Sequence, residues 1–360
     1  MREVSSLYIH YPYCKHLCHY CDFYKHLYSK GSEKDFEKYL EKNLELNAQF
    51  MKSHGFELTD LVTLYLGGGT PSLMGESLSG YVNKIFKYYG IKFRENYECT
   101  LEIDPGTYES FDVVDSWVNF GVNRFSVGIQ SLDSFIHKHL DRLSHNLDTA
   151  YTLLEYFQKK EVNFSVDFII GVMDDKFHKR DIEKELEEIL TFKPKHISLY
   201  ILSVSKNYRH FEILPQDEQV ESEYKRVHEF LSSKGFGHYE VSNYALDGHE
   251  SKHNWNYWKQ ASYAALGPSA TGLLVGKDFG KRYKWSASGK CEVEELNQDQ
   301  LKLEKLYTLA RTKNGVPINL LDPFKYRGLV RNGDAEIVNE NLVFNPSRWN
   351  ILDSLFDQLL

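Results

Sequence analysis

The stretch Cys14-Lys15-His16-Leu17-Cys18-His19-Tyr20-Cys21 decides how this chain is read. Its cysteines follow the pattern C-x-x-x-C-x-x-C. Thiolates are soft ligands that suit iron–sulfur clusters. Cys14, Cys18 and Cys21 can hold three irons of a [4Fe–4S] cluster and leave the fourth iron open to a small molecule. An open iron turns an electron-transfer group into a reaction site. From spacing alone a Cys3His zinc site completed by His10, His16 or His19 is the alternative, because structural zinc takes four closed ligands.

Working outward, the cysteines directly follow a short apolar run at 6–10. Further runs of the same kind lie at 61–66, 97–103, 124–129, 163–170 and 196–202, and their Val, Ile, Tyr and Phe content predicts buried strands. Helical spacing of apolar residues fills the gaps, at 34–52, 78–89, 110–119, 149–160 and 181–190. In the first of these Phe36, Tyr39, Leu40, Leu44 and Phe50 share a face, and Ser32 is placed to cap it. Alternating strands and helices imply parallel strands with helical crossovers. The expected fold is α/β: an incomplete (β/α)6, TIM-like barrel, with its chemistry at the carboxyl ends of the strands. The cysteine loop lies at such an end.

The pattern changes near residue 205, so the barrel is expected over 1–205 and a smaller α+β domain over 206–360. That domain reads as helix at 216–234, an aromatic and glycine-rich stretch at 235–289, and helix again at 296–313. From about 316 a helix-plus-hairpin tail of winged-helix type is expected, with turns such as Asn332-Gly333.

With 360 residues, 42% hydrophobic and 26% charged, the chain has the composition of a globular protein. Its net charge of −8, with no dense Lys/Arg block, disfavours nucleic-acid binding. No apolar stretch is long enough to span a membrane, and residues 1–6 do not read as a signal peptide. Cys99 and Cys291 stand apart from the cluster and read as small buried residues, so a reducing cytoplasm is expected.

Several motifs sit at predicted strand ends. Leu66-Gly67-Gly68-Gly69-Thr70-Pro71 lets backbone approach a ligand closely, although on its own it reads as a tight turn. Glu102 and Asp104 could hold an amino group or a ribose hydroxyl, or could cap a helix. Gln130 ends the fourth strand, and Arg142 follows with a guanidinium suited to a carboxylate, or to a surface ion pair. Asp167 lies inside a buried strand, which is costly without partners. Together these groups suit a zwitterionic amino acid joined to a nucleoside. The ligand with that description that also binds an open iron is S-adenosylmethionine (SAM).

Cys14–Cys21 with Leu66–Pro71 resembles the radical SAM superfamily. The likeness is closer to its coproporphyrinogen-dehydrogenase-like branch, and within that to HemW-type heme chaperones. Leu7-Tyr-Ile-His-Tyr-Pro-Tyr-Cys14, Cys21-Asp-Phe-Tyr24, Gly121-Val-Asn-Arg-Phe-Ser-Val-Gly-Ile-Gln-Ser131, His196-Ile-Ser-Leu-Tyr200, Tyr239-Glu-Val-Ser-Asn-Tyr244 and His253-Asn-Trp-Asn-Tyr-Trp258 carry it, over residues 7–272. The resemblance implies that Cys14, Cys18 and Cys21 bind the cluster. It also implies that Tyr8, Gly68, Gly69, Thr70, Glu102, Gln130, Arg142 and Asp167 contact SAM.

Two functions are consistent with it. One is oxygen-independent coproporphyrinogen III oxidation, in which cleaved SAM yields an adenosyl radical that removes a hydrogen from a propionate side chain. The other is a chaperone carrying heme to respiratory hemoproteins, membrane-bound ones among them. Dehydrogenases of this branch carry a further cysteine after the cluster motif, whereas Asp22 and Phe23 follow Cys21 here. They also have a longer segment before the cluster than the thirteen residues that precede Cys14. Both differences favour the chaperone. His253 is the heme-ligand candidate, with His249 a competitor and Trp255, Tyr257 and Trp258 able to pack against a porphyrin. An electron donor such as flavodoxin or ferredoxin is a further expected partner, and the oligomeric state, a homodimer included, stays open. An unassigned radical enzyme acting on another tetrapyrrole is a third reading. The chain departs from the family at Ile170–Asp175, Val204–Asn207 and Ala270-Thr271, all on the expected substrate side.

Overall fold

The computed structural model describes residues 1–142, 146–204 and 206–360. The chain opens with β1 (Arg2–Tyr11), the two-residue strands β2 (Tyr13–Cys14) and β3 (His26–Leu27), α1 (Ser32–Ser53), β4 (Phe56–Gly68), α2 (Leu78–Tyr89) and β5 (Phe93–Ile103). Next come α3 (Phe111–Phe120), β6 (Arg124–Gln130), α4 (Ser134–His139), α5 (Leu147–Lys159), β7 (Phe164–Ile170), α6 (Ile182–Leu190) and β8 (His196–Ile201). Then follow α7 (Asp217–Ser233), β9 (Gly237–Glu240), β10 (Asn243–Ala245), α8 (Lys252–Trp258), β11 (Ala264–Leu266), β12 (Thr271–Val275), β13 (Gly280–Trp285) and β14 (Cys291–Leu296). The last elements are α9 (Gln298–Ala310), β15 (Val316–Pro317), α10 (Pro323–Arg331), β16 (Ala335–Val338), β17 (Asn341–Phe344) and α11 (Leu352–Phe356). All six expected strands form, as β1, β4, β5, β6, β7 and β8, with helices between them.

Packing groups the chain into two compact units, each made of two pieces: Met1–Val166 with Ala261–Asn297, and Asp167–Gln260 with Gln298–Leu360. This partition differs from the division expected at residue 205, and Ser205 itself lies outside the described residues. The boundary at 205 stays a proposal about domain organisation.

In the first unit the strands run β11-β1-β4-β5-β6, and every neighbouring pair is parallel. Leu7, Ile9, Leu64, Leu66, Leu101, Ile103, Phe125, Val127 and Ile129 are almost fully buried, as strands covered on both faces require. β7 starts beside β6, where Phe125 N–H donates to the Asn163 carbonyl at 3.0 Å. α1 buries Phe36, Leu40, Leu44 and Met51. Its expected cap is different: Gly31, at φ 111°, occupies the N-cap position, and the Ser32 hydroxyl accepts from Ser29 N–H at 3.0 Å. The later helices start as their sequences dictate, with Ser110, Asn146 and Asp181 side chains accepting from backbone N–H groups of α3, α5 and α6.

The aromatic and glycine-rich stretch resolves into structure that its composition hides. β11 pairs in parallel with β1, so residue 264 stands beside residue 7. β12, β13 and β14 form an antiparallel sheet in which the Tyr283 ring lies over Gly272, where a Cβ would meet it at 2.4 Å. Tyr283 O–H accepts from Ala265 N–H at 3.0 Å, which ties this sheet to β11. Cys99 is fully buried as expected, whereas Cys291 is only half-buried on β14.

In the second unit the end of β7 lies beside β8, where Leu202 N–H donates to the Ile170 carbonyl at 2.9 Å. β10 is antiparallel to both β8 and β9. The tail holds α10 and a three-stranded antiparallel sheet of order β15-β17-β16. Its hairpin turn is Asn339-Glu340, both at positive φ, the geometry of a type I′ turn. Asn332-Gly333 instead ends α10.

Candidate functional site

The cysteine loop leaves β2 and is closed by β3. Tyr28 N–H donates to the Cys14 carbonyl at 2.8 Å, and His26 N–H to the Pro12 carbonyl at 2.6 Å. Within the loop Cys21 N–H reaches the Cys18 carbonyl at 3.4 Å. The glycine run after β4 packs directly against this loop. Gly69 N–H donates to the Tyr11 carbonyl and Thr70 N–H to the Tyr13 carbonyl, each at 2.8 Å. A Cβ on Gly69 would lie 2.8 Å from the Tyr13 carbonyl oxygen and 3.0 Å from Cys14 Sγ. Gly68 sits at φ +120°, and a Cβ there would meet the Tyr11 carbonyl oxygen at 2.8 Å. Glycine is therefore required twice, for close approach and for conformation.

Polar side chains converge on the same corner. Glu102 accepts from Tyr65 O–H at 2.9 Å and from Gly68 N–H at 3.1 Å. His10 Nε2–H donates to the Tyr24 carbonyl at 2.8 Å, which makes Nδ1 the acceptor for Tyr8 O–H at 2.9 Å. Burial holds His10 below the usual histidine range, in keeping with this neutral form, and burial then Glu102 push the Tyr8 hydroxyl well up. Gln130 ends β6 at φ 71°, a strained position for a residue other than glycine. Gly128 beside it leaves room for two side chains: a Cβ there would lie 3.1 Å from both Gln130 Nε2 and Arg142 Nη2.

Arg142 is buried. Its Nη2 donates to Asp104 at 3.0 Å and to the Gly128 carbonyl at 2.6 Å, and its Nη1 to Tyr20 O–H at 3.4 Å. Burial opposes its charge, but Asp104, Tyr20 and Cys18 together raise its pKa above the usual arginine value. The surface-pair alternative for Arg142 is therefore set aside. Tyr20 and Tyr65 were not singled out from the sequence, His10 was nominated only for zinc, and Tyr24 was read only as part of a motif. Tyr20 lies inside the cysteine motif, and that position was the only signal.

Asp167 lies on β7 and His253 on α8, both in the second unit. Asp167 is half-buried. His253 is fully buried, and its Nε2 lies 2.8 Å from the Tyr257 hydroxyl. Trp255, Tyr257, Trp258 and His249 are half-buried.

The donor set fits an iron–sulfur cluster. Cys14, Cys18 and Cys21 are free thiols on one loop, and Cys14 and Cys18 both feel the Cys21 charge. Burial pushes Cys18 up to about 11 and Cys14 also upward, against the pull of Arg142 on the first and of a Thr70 hydrogen bond on the second. Metal binding would take these protons off. Among the described residues no three His, Cys, Asp or Glu side chains converge as a single ion needs. A cluster asks for one thiolate at each of three separate irons. The histidines nominated for zinc have other partners: His10 as above, and His16 and His19 with Asp141 at 3.3 and 3.1 Å.

Comparison with known proteins agrees. Residues 8–181 match the Radical SAM superfamily. A protein of Lactococcus lactis named Heme chaperone HemW is 28% identical, over 99% of this chain and 96% of its own length. A Haemophilus influenzae protein of the same name is 33% identical over 75% of this chain and 70% of its own. Among solved structures, the Escherichia coli coproporphyrinogen III oxidase HemN superposes with a TM-score of 0.78 at 16% identity, covering 99% of this chain and 90% of that one. That superposition carries the fold. Cysteine loop, glycine corner and sequence likeness agree: the chain belongs to the radical SAM superfamily and, within it, to the HemW family.

Proposed function

We propose that this protein is a heme chaperone: it carries a [4Fe–4S] cluster and SAM, takes up heme, and hands it to hemoproteins. The observation that carries this reading is the likeness to a protein named as a heme chaperone along 99% of the chain. Asp22 and Phe23 after Cys21 support it, because the dehydrogenase branch has a further cysteine there.

Cys14, Cys18 and Cys21 hold the cluster, which when bound supplies one-electron chemistry toward SAM. Gly68 and Gly69 let the end of β4 pack directly against the cysteine loop, which brings the SAM-binding corner up to the cluster. Glu102, already turned toward Gly68 N–H, is placed to take the SAM amino group. Arg142 neutralises the carboxylate end, Tyr8, Thr70 and Gln130 contact SAM, and the family resemblance alone assigns Asp167 to the ribose. Heme binds through a histidine. His253 is the candidate by motif, fully buried with Nε2 beside the Tyr257 hydroxyl, whereas the competitor His249 is half-buried.

Finer parts of the reading rest on the family resemblance. The protein works in the cytoplasm, reaching respiratory acceptors at the inner membrane, with an electron donor such as flavodoxin or ferredoxin. No helix among the described residues is long and apolar enough to cross a membrane.

The test uses anaerobically reconstituted protein with SAM and reductant, given coproporphyrinogen III in one tube and heme in another. Saturable, stoichiometric heme binding with no porphyrinogen turnover is expected. Protoporphyrinogen formation would make it a dehydrogenase, and a sound preparation that shows neither turnover nor heme binding would overturn the tetrapyrrole reading.

A further inference from the structure

The cysteine loop is gripped from two directions within the first unit. From the turn after β5, the Gly106 carbonyl accepts from Lys15 Nζ at 2.9 Å, and Asp104 holds the same turn by accepting from Gly106 N–H at 2.8 Å. From the segment after α4, Asp141 takes His16 and His19, and Arg142 takes Tyr20. The two directions meet in one ion pair, Asp104 with Arg142, in which the two side chains are 15% and 8% exposed. Cys18 feels the charge of both partners. Arg142 Nε is buried with no hydrogen-bond partner among the described residues, so its guanidinium has one donor unused. An unmet buried donor on a charged group is costly unless a ligand completes it.

We infer that Tyr20 and Asp104 are positioning residues of the cluster site, which act through Arg142 to fix the charge that Cys18 sees and the donor left for a carboxylate ligand. Tyr20 draws one arm of the fork toward the loop, while Asp104 and the Gly128 carbonyl hold the other. The Nε–H is thereby aimed. A guanidinium beside a cluster thiolate favours the reduced, more negative cluster, and an adjacent carboxylate opposes it. The two residues are therefore expected to pull the reduction potential in opposite directions. This inference rests on the cluster reading and is independent of heme.

The experiment compares Tyr20→Phe and Asp104→Asn with the wild-type full chain after anaerobic reconstitution. The readouts are iron and sulfide content, the cluster potential in a dithionite titration followed by electron paramagnetic resonance, and SAM affinity by equilibrium binding. Both variants are expected to keep wild-type cluster content. Asp104→Asn is expected to raise the potential and Tyr20→Phe to lower it. Tyr20→Phe should also weaken SAM binding about 3- to 10-fold, the scale of one hydrogen bond to a charged group. Unchanged potential and affinity in both variants at full cluster content would overturn the proposal. If one variant fails to reconstitute, the other decides. Loss of the cluster from both, with native circular dichroism, would leave a purely structural role and also overturn it.

Discussion

Gly69 lies so close to Cys14 that a methyl group added to it would sit 3.0 Å from the cysteine sulfur and 2.8 Å from a carbonyl oxygen of the same loop. The contact makes the glycine corner after β4 one wall of the cluster site. Gly69→Ala must push β2 and its cysteine outward, since the nearer atom is backbone and cannot rotate away. Reconstituted Gly69→Ala is expected to hold less than half the wild-type iron and sulfide per chain, with far-ultraviolet circular dichroism unchanged. Full cluster content in this variant would show that the wall is dispensable.

Cys18→Ala removes a half-buried thiol and leaves the backbone bonds of the loop, its own carbonyl included, in place. The broad visible absorption of the cluster should disappear while the thermal midpoint stays within a few degrees of wild type. A wild-type spectrum would remove Cys18 from the ligand set.

Glu102→Gln replaces a carboxylate that accepts from Tyr65 and from Gly68 N–H. Losing its charge should weaken SAM binding at least 10-fold, the scale of a charge-assisted hydrogen bond, and leave the cluster spectrum intact. Equal affinity by equilibrium dialysis would rule out contact with the SAM amine.

His253→Ala and His249→Ala separate the two heme-ligand candidates. His253→Ala should weaken heme binding, spare the cluster, and cost stability because the residue is fully buried beside Tyr257. If only His249→Ala changes the heme titration, the ligand is the more accessible histidine and His253 is part of the packing.

Glu240 gives the protein a pH dependence of a definite sign. Burial raises its carboxyl to about 7, against hydrogen bonds from Asn243 and Ser242 N–H. Between its unfolded value and that value the folded chain binds the extra proton. Its contribution to stability is therefore full below the unfolded value and is lost as pH rises toward 7. The loss is on the order of 3 kcal/mol. Denaturation midpoints measured between pH 5 and pH 8 should fall more steeply for wild type than for Glu240→Gln. Parallel curves would mean that Glu240 ionises normally.

Much of the strand and helix order up to β8 was legible because its parts repeat. Apolar runs at regular distances, with helical spacing between them, placed all six strands, and the cysteine and glycine motifs fell at strand ends. Contacts between residues far apart in sequence were not legible. Nothing in Ala264-Ala265-Leu266 announces a strand that joins β1, because three small apolar residues fit many settings. Arg142 read as a candidate for a surface pair, and only the fold shows it enclosed by Asp104, Gly128 and Tyr20. His253 read as available, yet its ring is enclosed in α8 and its neighbours, since a motif reports residue types and not exposure.

The pairing of β11 with β1 has a consequence for synthesis. The strand that leads into the cysteine loop acquires its second neighbour only when residues 264–266 have left the ribosome, and Gly267 then packs on the His10 carbonyl. At about 5–20 residues per second, that interval lasts roughly 10–50 s. Through it the nascent cysteine loop hangs from a half-framed strand. The cell's cluster-assembly machinery thus meets either an open, accessible loop during translation or a closed one after release, and the order of those two events is written into the topology.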